Sequence, residues 1–337
     1  MKKNIMKTHF NLILVVLFFL TACKKEDDSP TYAVNNNPIV KTDATYTIRV
    51  DENVVYAKGL SHESLNSVQS TEMNLLLDVY YPDNTIENRP VYLFMHGGGF
   101  VGGSKSSGQI VDMAEYFAAR GWVFISINYR VRDDLGTLPQ EWIDYSSSLD
   151  AEIISQFFAM YPAHRDAKAA LRWAVANANT YKINTDYITV GGGSAGAITS
   201  ITLGVSNQED YRDELNLSQD TTLSTSNLEQ AYEIQSIIDF WGTKAGLNAL
   251  ELIYGHQRFD GNDPSLLIVH GTEDTSPKTP YSSALDLMDA YNSTGAYAAL
   301  VPLEGWGHSA WDATVNGKSL SDLSFDFIVT QQNLNVE

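Results

Sequence analysis

The sequence is poor in features typical of disulfide-bonded, nucleic-acid-binding or membrane-spanning proteins. It contains one cysteine in 337 residues, so no disulfide can form within the chain. Lysine and arginine total 22 against 41 aspartates and glutamates, a net charge of −19. This balance excludes nucleic acid as a partner, because such binding depends on basic contacts to phosphate. The apolar run at residues 12–20 would rise only ~14 Å as a helix, too short for a bilayer core of ~30 Å.

The N-terminal segment accounts for the single cysteine. Three lysines within the first seven residues, the apolar run, and Leu-Thr-Ala-Cys ending at Cys23 resemble a bacterial lipoprotein signal. We therefore predict a signal peptide at residues 1–22, a lipid anchor on Cys23 as the membrane contact, and an outer-membrane location. An ordinary cleaved signal with an incidental cysteine is the alternative.

A polar tract follows at residues 23–43 and has too little apolar surface to pack, so we predict a flexible acidic tether there. Its acidic start resembles the export tag of surface-displayed lipoproteins in some Gram-negative bacteria. A solvated linker explains the same residues equally well. A single folded domain is then expected at residues 44–337, since 44% hydrophobic residues can supply one large core and no internal repeat or Pro/Gly-rich linker divides it.

Strand and helix patterns alternate along this domain. The strand-like stretches are 44–55, 73–81, 90–95, 122–129, 187–190, 234–241, 265–269 and 297–301. Helical spacing covers 109–120, 165–180, 195–205, 282–291 and 318–331. This alternation predicts the α/β class: a mostly parallel central sheet of about eight strands, with helices on both faces and a ligand site at the carboxyl ends of the strands.

Two segments are longer than a connection requires. Residues 131–164 are rich in aromatic side chains and could line a pocket, whereas residues 207–230 are polar and predicted to be solvated.

Ser194 is the candidate nucleophile. It lies where a β-branched run stops at glycines, in the pattern Gly192-x-Ser194-x-Gly196. This pattern fits a sharp strand-to-helix turn that lifts a serine hydroxyl clear of a sheet, because glycines remove the Cβ atoms that would clash. A Gly/Ser-rich loop without chemistry would show the same residues, so the assignment depends on the rest of the chain.

A serine nucleophile needs a base, and the base works better when a carboxylate orients it. His308 is the candidate base, since it lies in a glycine-rich loop after a predicted strand, and Asp274 is the candidate acid in a polar loop after another. Glu273 is the nearest rival, and Asp260 or Asp263 would require the preceding loop to fold back. The order Ser, Asp, His, each just past a strand, favours a catalytic triad over a solvated histidine and a turn aspartate.

Acyl transfer also needs fixed donors for the negative charge that develops on the carbonyl oxygen. The glycines after the strand at 90–95 allow the backbone to approach a ligand closely, so we predict that the N–H groups of Gly98 and Gly99 form an oxyanion hole. The N–H of Ala195, at the start of the helix after the serine, is the third predicted donor.

These stretches resemble the motifs of the α/β-hydrolases, and within them the carboxylesterase and hormone-sensitive-lipase-like group. The matching motifs are His96-Gly97-Gly98-Gly99, Gly192-Gly193-Ser194-Ala195-Gly196, His270-Gly271-Thr272-Glu273-Asp274 and Gly307-His308. Asn128-Tyr129-Arg130 and the helix at 166–178 also match. Together the resemblance spans roughly residues 71–331. The resemblance implies an α/β-hydrolase fold in which Ser194 is the nucleophile, His308 the general base and acid, and Asp274 its orienting acid. It implies the same oxyanion donors.

The chain departs from this group at two places. Relatives often have an acid immediately before the nucleophile, where this sequence has Gly193. The 131–164 segment also replaces the short Pro-rich connection of the lipase-like branch, so the substrate preference of that branch cannot be carried over.

The predicted function is carboxylic ester hydrolysis through an acyl-serine intermediate, without a metal or cofactor. Short acyl esters are the expected substrates, small or carried by a polymer such as an extracellular polysaccharide, and Phe100, Trp241 and Trp306 are expected to shape the pocket. A serine peptidase of the same fold is one alternative, although the chain has no room for an upstream propeller domain. A non-catalytic surface-binding lipoprotein is the other.

Overall fold

The computed structural model describes residues 36–337 of the chain. The predicted signal peptide, Cys23 and the first part of the predicted tether lie outside the described residues. Within 36–337, none of the helices combines the length and the apolar character that crossing a bilayer takes.

A single large sheet forms the centre of the fold. The strands are β1 (Ile39–Val40), β2 (Ile48–His62), β3 (Ser70–Pro82), β4 (Arg89–Met95), β5 (Val123–Ile127), β6 (Ile183–Gly193), β7 (Ser236–Phe240), β8 (Ser265–Gly271), β9 (Ala298–Leu303) and β10 (Asn335–Val336). Eight of them pair in the order β2-β3-β5-β4-β6-β7-β8-β9. The β2–β3 and β3–β5 pairs are antiparallel and every later pair is parallel, which confirms the predicted eight-stranded, mostly parallel sheet.

The apolar runs that were predicted to be central strands are buried on both faces. In β4, Val91, Leu93 and Met95 point into one core, and Tyr92 and Phe94 point into the other. All five side chains are almost inaccessible to solvent. Burying a Val, Leu, Met or Phe side chain contributes roughly 1.5–3 kcal/mol, which is why a continuous apolar run is stable at the middle of the sheet.

Helices cover both faces, as predicted. They are α1 (Gly108–Ala118), α2 (Gln140–Ser146), α3 (Ala151–Ala176), α4 (Ala178–Tyr181), α5 (Ala195–Val205), α6 (Ala245–Tyr254), α7 (Tyr281–Thr294) and α8 (Leu320–Gln331). The buried residues of α1 and α8 join one core, and those of α3, α5, α6 and α7 join the other. The carboxyl ends of β4, β6, β8 and β9 thus lie at one edge of the sheet, between the two helical layers.

The folded body begins earlier than the predicted boundary at residue 44. Strand β1 pairs in parallel with β10 at the chain's C-terminal end, with Ile39 opposite Asn335 and Val40 opposite Val336. Lys41 adds an ion pair to Glu337 at 2.6 Å. The last residues of the predicted tether are therefore part of the domain, because their partners come from a distant part of the sequence.

The segment at 131–164 is largely helical. It contains α2 and the first half of α3, so the helix expected to begin at residue 165 begins at Ala151 and continues through Pro162. Nearly every α3 residue from Phe157 to Trp173 is buried. A proline usually marks a helix boundary, and Pro162 lies inside α3, which accounts for a predicted start after it.

The prediction that residues 207–230 are solvated is wrong for part of the segment. Tyr211, Leu215 and Leu223 are buried in the core. Two of the segment's carboxylates are buried in ion pairs, Asp210 with Arg258 at 2.7 Å and Asp220 with Arg165 at 3.0 Å. Its polar composition therefore reflects paired charges inside the protein as well as contact with water, since residues 216–219 are exposed.

Candidate active site

Ser194 lies at the turn between β6 and α5, with backbone angles φ 55° and ψ −117°. Such angles are rare for a residue with a side chain and require surrounding structure to hold them. The turn is possible because Gly192 and Gly196 have no side chain: a Cβ on Gly192 would collide with the backbone of Gly196, and a Cβ on Gly196 with the Met95 carbonyl. The Ser194 N–H donates to the Phe240 carbonyl at 2.9 Å, which fixes the serine beside β7.

The structure brings Ser194, His308 and Asp274 together in one hydrogen-bonded chain. The distance between Ser194 Oγ and His308 Nε2 is 3.0 Å, and that between His308 Nδ1 and Asp274 Oδ2 is 2.7 Å. A carboxylate accepts hydrogen bonds, so the hydrogen of a neutral His308 is on Nδ1 and its Nε2 is free to accept from the serine hydroxyl. This is the arrangement that a serine nucleophile and its base require.

Asp274 is fully buried, and its carboxylate is oriented by several donors. Oδ2 accepts from His308, and Oδ1 accepts from the Ser276 N–H at 2.9 Å. The rival Glu273 is exposed, and in residues 36–337 the carboxylate that contacts His308 is that of Asp274. Asp260 and Asp263 instead belong to a separate loop, where Asp263 Oδ2 accepts from the Asp260 N–H.

Gly98, Gly99 and Ala195 all line the cavity that contains Ser194 and His308. Gly98 has φ 113° and Gly99 has φ 61°, conformations that glycine adopts without a steric cost. Among the described residues, no hydrogen-bond acceptor takes up the N–H groups of these three residues. Three free backbone donors beside a serine hydroxyl could therefore bind an oxyanion, and this role stays a prediction.

The glycine loop is held by side chains around it. His96 stacks on Tyr129 with ring centroids 4.2 Å apart, and the Tyr129 hydroxyl donates to the His96 carbonyl at 2.6 Å. Burial lowers the pKa of His96, so this ring is a neutral support. From α3, Gln156 Nε2 donates to the Gly99 carbonyl at 3.0 Å. The 131–164 segment thus contacts the predicted oxyanion loop directly.

A cavity of about 880 Å³ opens over Ser194. Much of its wall is apolar and comes from the 131–164 segment and from α6, including Tyr145, Ile153, Phe157 and Leu252. The expectation that this segment lines a pocket agrees with that wall. Phe100 and Trp241 also line the cavity, as predicted, but Trp306 does not and is 40% exposed.

Trp311 forms part of the cavity wall beside the nucleophile. It packs edge-to-face on Trp241, with centroids 4.9 Å apart and planes at 85°. A Cβ on Gly193 would lie 2.9 Å from Trp311 Cζ2. The space beside Ser194, where relatives often have an acid, is therefore filled by an indole ring contributed from the loop after β9.

The charge of the cavity contrasts with that of the whole chain. Among the described residues that line the cavity, Lys278 is the only lysine or arginine, and none is an aspartate or glutamate. It is exposed, and within 36–337 it forms no ion pair. The lining thus lacks carboxylates, whereas the whole chain has a net charge of −19.

Sequence reasoning assigned no function to Gln156 or Trp311 and no separate role to His270. His270 lies inside a recognised motif, and its position four residues before Asp274 could have indicated a contact with that acid. Trp311 lies three residues after His308, close enough in sequence to suspect a part in the site. Gln156 left no signal, because its contact with Gly99 crosses 57 residues of sequence.

Comparison with known proteins identifies the family. A profile of the BD-FAE family matches residues 77–150 and 144–251. The chain is 32% identical over 151 residues to esterase LipC of Mycobacterium tuberculosis, a match that covers 44% of this chain and 31% of that protein. It is 27% identical over 218 residues to carboxylesterase 1C of Rattus norvegicus, covering 62% and 36%. The chain thus spans about a third of the length of these curated relatives.

Solved structures agree on the fold. The butyrate-bound Est2 esterase of Thermogutta terrifontis superimposes with a TM-score of 0.56 at 20% identity, covering 80% of this chain and 94% of that one. A truncated carbohydrate esterase from gut microbiota gives 0.56 at 19% identity, covering 88% and 99%. At this identity the likeness concerns the α/β-hydrolase fold alone. Because the family profile covers more than half of its residues, the chain belongs to the BD-FAE family, a family of α/β-hydrolase esterases.

Proposed function

We propose that this protein is a carboxylesterase that hydrolyses its substrate through an ester formed on Ser194. The observation that carries the proposal is the continuous hydrogen-bonded chain from Ser194 Oγ through His308 to the buried Asp274, at 3.0 and 2.7 Å. Esterases that are similar in sequence over part of their length and esterases of the same fold support it.

In the first half of the reaction, Ser194 Oγ attacks the ester carbonyl while His308 Nε2 accepts the hydroxyl proton. Asp274 stabilises the imidazolium that forms, because its carboxylate already accepts the Nδ1 hydrogen. The carbonyl oxygen becomes negative and is bound by the N–H groups of Gly98, Gly99 and Ala195. The C–O bond to the alcohol then breaks, the alcohol takes the proton from Nε2, and the acyl group stays on Ser194.

In the second half, water replaces the alcohol. His308 Nε2 takes a proton from the water as its oxygen attacks the acyl carbon, and the same donors bind the second oxyanion. Collapse of this intermediate breaks the bond to Ser194 Oγ, which recovers its proton from His308. The products are a carboxylic acid and an alcohol, and the enzyme returns to its starting state.

We further propose that the acyl group is short and that its alcohol is carried by a carbohydrate polymer. The cavity of about 880 Å³ is larger than a short acyl chain needs, so it has room for part of the alcohol as well. Two proteins of this fold, an esterase bound to propionate or butyrate and a carbohydrate esterase, make this substrate class reasonable to test first.

The proposed location is the outer membrane, with Cys23 as a lipidated first residue. The support is the sequence before Cys23, which resembles a lipoprotein signal. Mass spectrometry of the mature N-terminus should find diacylglycerol on Cys23, and replacement by serine should release the protein. A mature terminus elsewhere without lipid contradicts the anchor.

The test of activity is a panel of p-nitrophenyl esters, from acetyl to long acyl chains, together with peptide anilides. We expect turnover of the short esters, its loss in Ser194→Ala, and full activity in Ser293→Ala, an exposed serine on α7 that serves as the matched control. Hydrolysis of the anilides in preference to esters would indicate a peptidase. Failure of the wild type on every substrate would favour a binding protein.

A further inference from the structure

His270 lies on β8, is fully buried, and contacts the predicted catalytic acid. Its Nε2 is 3.0 Å from Asp274 Oδ2 and 3.1 Å from the carbonyl oxygen of Thr279. Both of these atoms can only accept a hydrogen bond, so Nε2 carries the hydrogen and shares it between them. The oxygen it contacts is the same Oδ2 that accepts from His308.

The ring of His270 is neutral. Burial lowers its pKa, and Nδ1 has no hydrogen-bond partner in the described part of the chain. Protonation of Nδ1 would therefore place an unpaired donor in the core. The groups that face the ring are Asp274, His308, the Thr279 carbonyl and the ring of Tyr281, whose centroid is 5.9 Å away. Among these, Asp274 holds the negative charge.

A neutral hydrogen-bond donor is suited to the position of His270 beside Asp274. The carboxylate of Asp274 has no contact with solvent, so it needs hydrogen bonds to replace water. A second cation beside Asp274 would compete with the His308 imidazolium for the same charge, whereas a neutral N–H fixes the carboxylate without cancelling that charge. His270 also holds the backbone of Thr279, whose hydroxyl is 3.2 Å from His308 Nδ1.

We propose that His270 is a positioning residue of the active site, which aims Asp274 Oδ2 and the Thr279 loop at His308. The inference rests on the proposed function, since it assigns His270 a role in the same acyl transfer. His270 touches neither the substrate nor the reacting atoms. It acts by restricting where Asp274 can point, and therefore which orientation His308 keeps towards Ser194.

The test compares variants that keep or remove the donor. His270→Gln retains an N–H close to the position of Nε2, while His270→Phe and His270→Leu fill the site without one. We expect kcat to fall roughly tenfold to a hundredfold in the Phe and Leu variants, the range for loss of a hydrogen bond to a charged group. KM should change by less than about threefold. The Gln variant should recover most of kcat.

The pH profile separates positioning from packing. When Asp274 loses one donor, more of its charge acts on His308, so the acidic limb of kcat/KM should move to higher pH in the Phe and Leu variants and stay in place in Gln. Folded Phe and Leu variants with wild-type kcat and an unmoved limb would overturn the proposal, as would equal losses in all three variants. If neither apolar variant folds, His270→Asn replaces them, because its shorter amide cannot reach Asp274.

Failure of the proposed function would look different. It would show as an inactive wild type or an active Ser194→Ala, independently of any change at His270. The positioning role then still has a direct readout, the low-field proton NMR signal of the hydrogen between His308 Nδ1 and Asp274. His270→Phe should shift or broaden this signal, His270→Gln should preserve it, and an unchanged signal in both overturns the inference.

Discussion

The contact between Gly193 and Trp311 allows a quantitative prediction for Gly193→Ala. The added methyl group would lie 2.9 Å from Trp311 Cζ2, half an ångström inside the 3.4 Å at which ordinary contact begins. The indole cannot move away freely, because it packs on Trp241 at 4.9 Å and on Phe240 at 5.6 Å between centroids. Overpacking of this kind costs about 1–3 kcal/mol.

The same substitution also has a favourable effect on the unfolded chain. Gly193 has an ordinary negative φ, so alanine fits the backbone and restricts the unfolded state, which contributes ~0.4–1 kcal/mol of stability. The clash is the larger effect, and Gly193→Ala should lower the free energy of unfolding by about 1–2 kcal/mol. In a Trp311→Ala background the clash is absent, and the same substitution should stabilise the protein by ~0.4–1 kcal/mol.

Urea denaturation of the wild type, both single variants and the double variant measures this coupling, which should be about 1–3 kcal/mol. Gly108→Ala is the matched control, since a Cβ there meets no atom within 4 Å. Its effect on the free energy of unfolding should be the same with and without the Trp311→Ala substitution. A Gly193→Ala variant as stable as the wild type, or an equal loss in both backgrounds, would refute the reasoning. It would mean that Trp311 is not what excludes a side chain beside the nucleophile.

Three further predictions concern the cavity and the core. Gln156→Leu removes the donor to the Gly99 carbonyl and should lower kcat about tenfold with KM little changed; steady-state kinetics with an unchanged kcat would contradict a role in holding the loop. Lys278→Glu should reduce kcat/KM about threefold to tenfold for esters that carry a carboxylate and leave neutral esters unaffected, an effect that 0.5 M salt should weaken; equal loss on both substrates argues against a charge effect. Burial raises the pKa of Asp239 to about 7 from 3.8, so the stability that depends on its protonation is complete below pH 3.8 and lost as the pH rises towards 7. Asp239→Asn cannot ionise and can still accept from the Gly242 N–H. Its free energy of unfolding, relative to that of the wild type, should therefore rise by about 2–4 kcal/mol between pH 3.8 and 7 and stay constant above pH 7. A difference between the two proteins that does not depend on pH would show that Asp239 is not the titrating group.

The parts of the structure that could be predicted are those set by local pattern and chain order. Continuous apolar runs such as β4 identify central strands, because a strand buried on both faces has no polar side. Residues that follow parallel strands meet at one edge of the sheet, so the positions of Ser194, Asp274 and His308 in sequence were enough to expect them near one another. The order of the strands does not predict the distances between these three side chains.

The parts that could not be predicted depend on partners far away in the chain. Asp210 and Asp220 looked solvated because their arginines, Arg258 and Arg165, lie 48 and 55 residues away. Strand β1 looked like tether because its partner is the other end of the chain. The donor role of His270 requires knowing which way its ring nitrogens point, which a motif does not contain.

The central claim is that Ser194 is the nucleophile of an esterase. Its most direct test is reaction with an organophosphate p-nitrophenyl ester, followed by peptide mapping by mass spectrometry. One equivalent of p-nitrophenol should be released per enzyme, with one phosphoryl adduct on the peptide that contains Ser194 and none in Ser194→Ala. An adduct on another residue, or equal labelling of Ser194→Ala, would contradict the account.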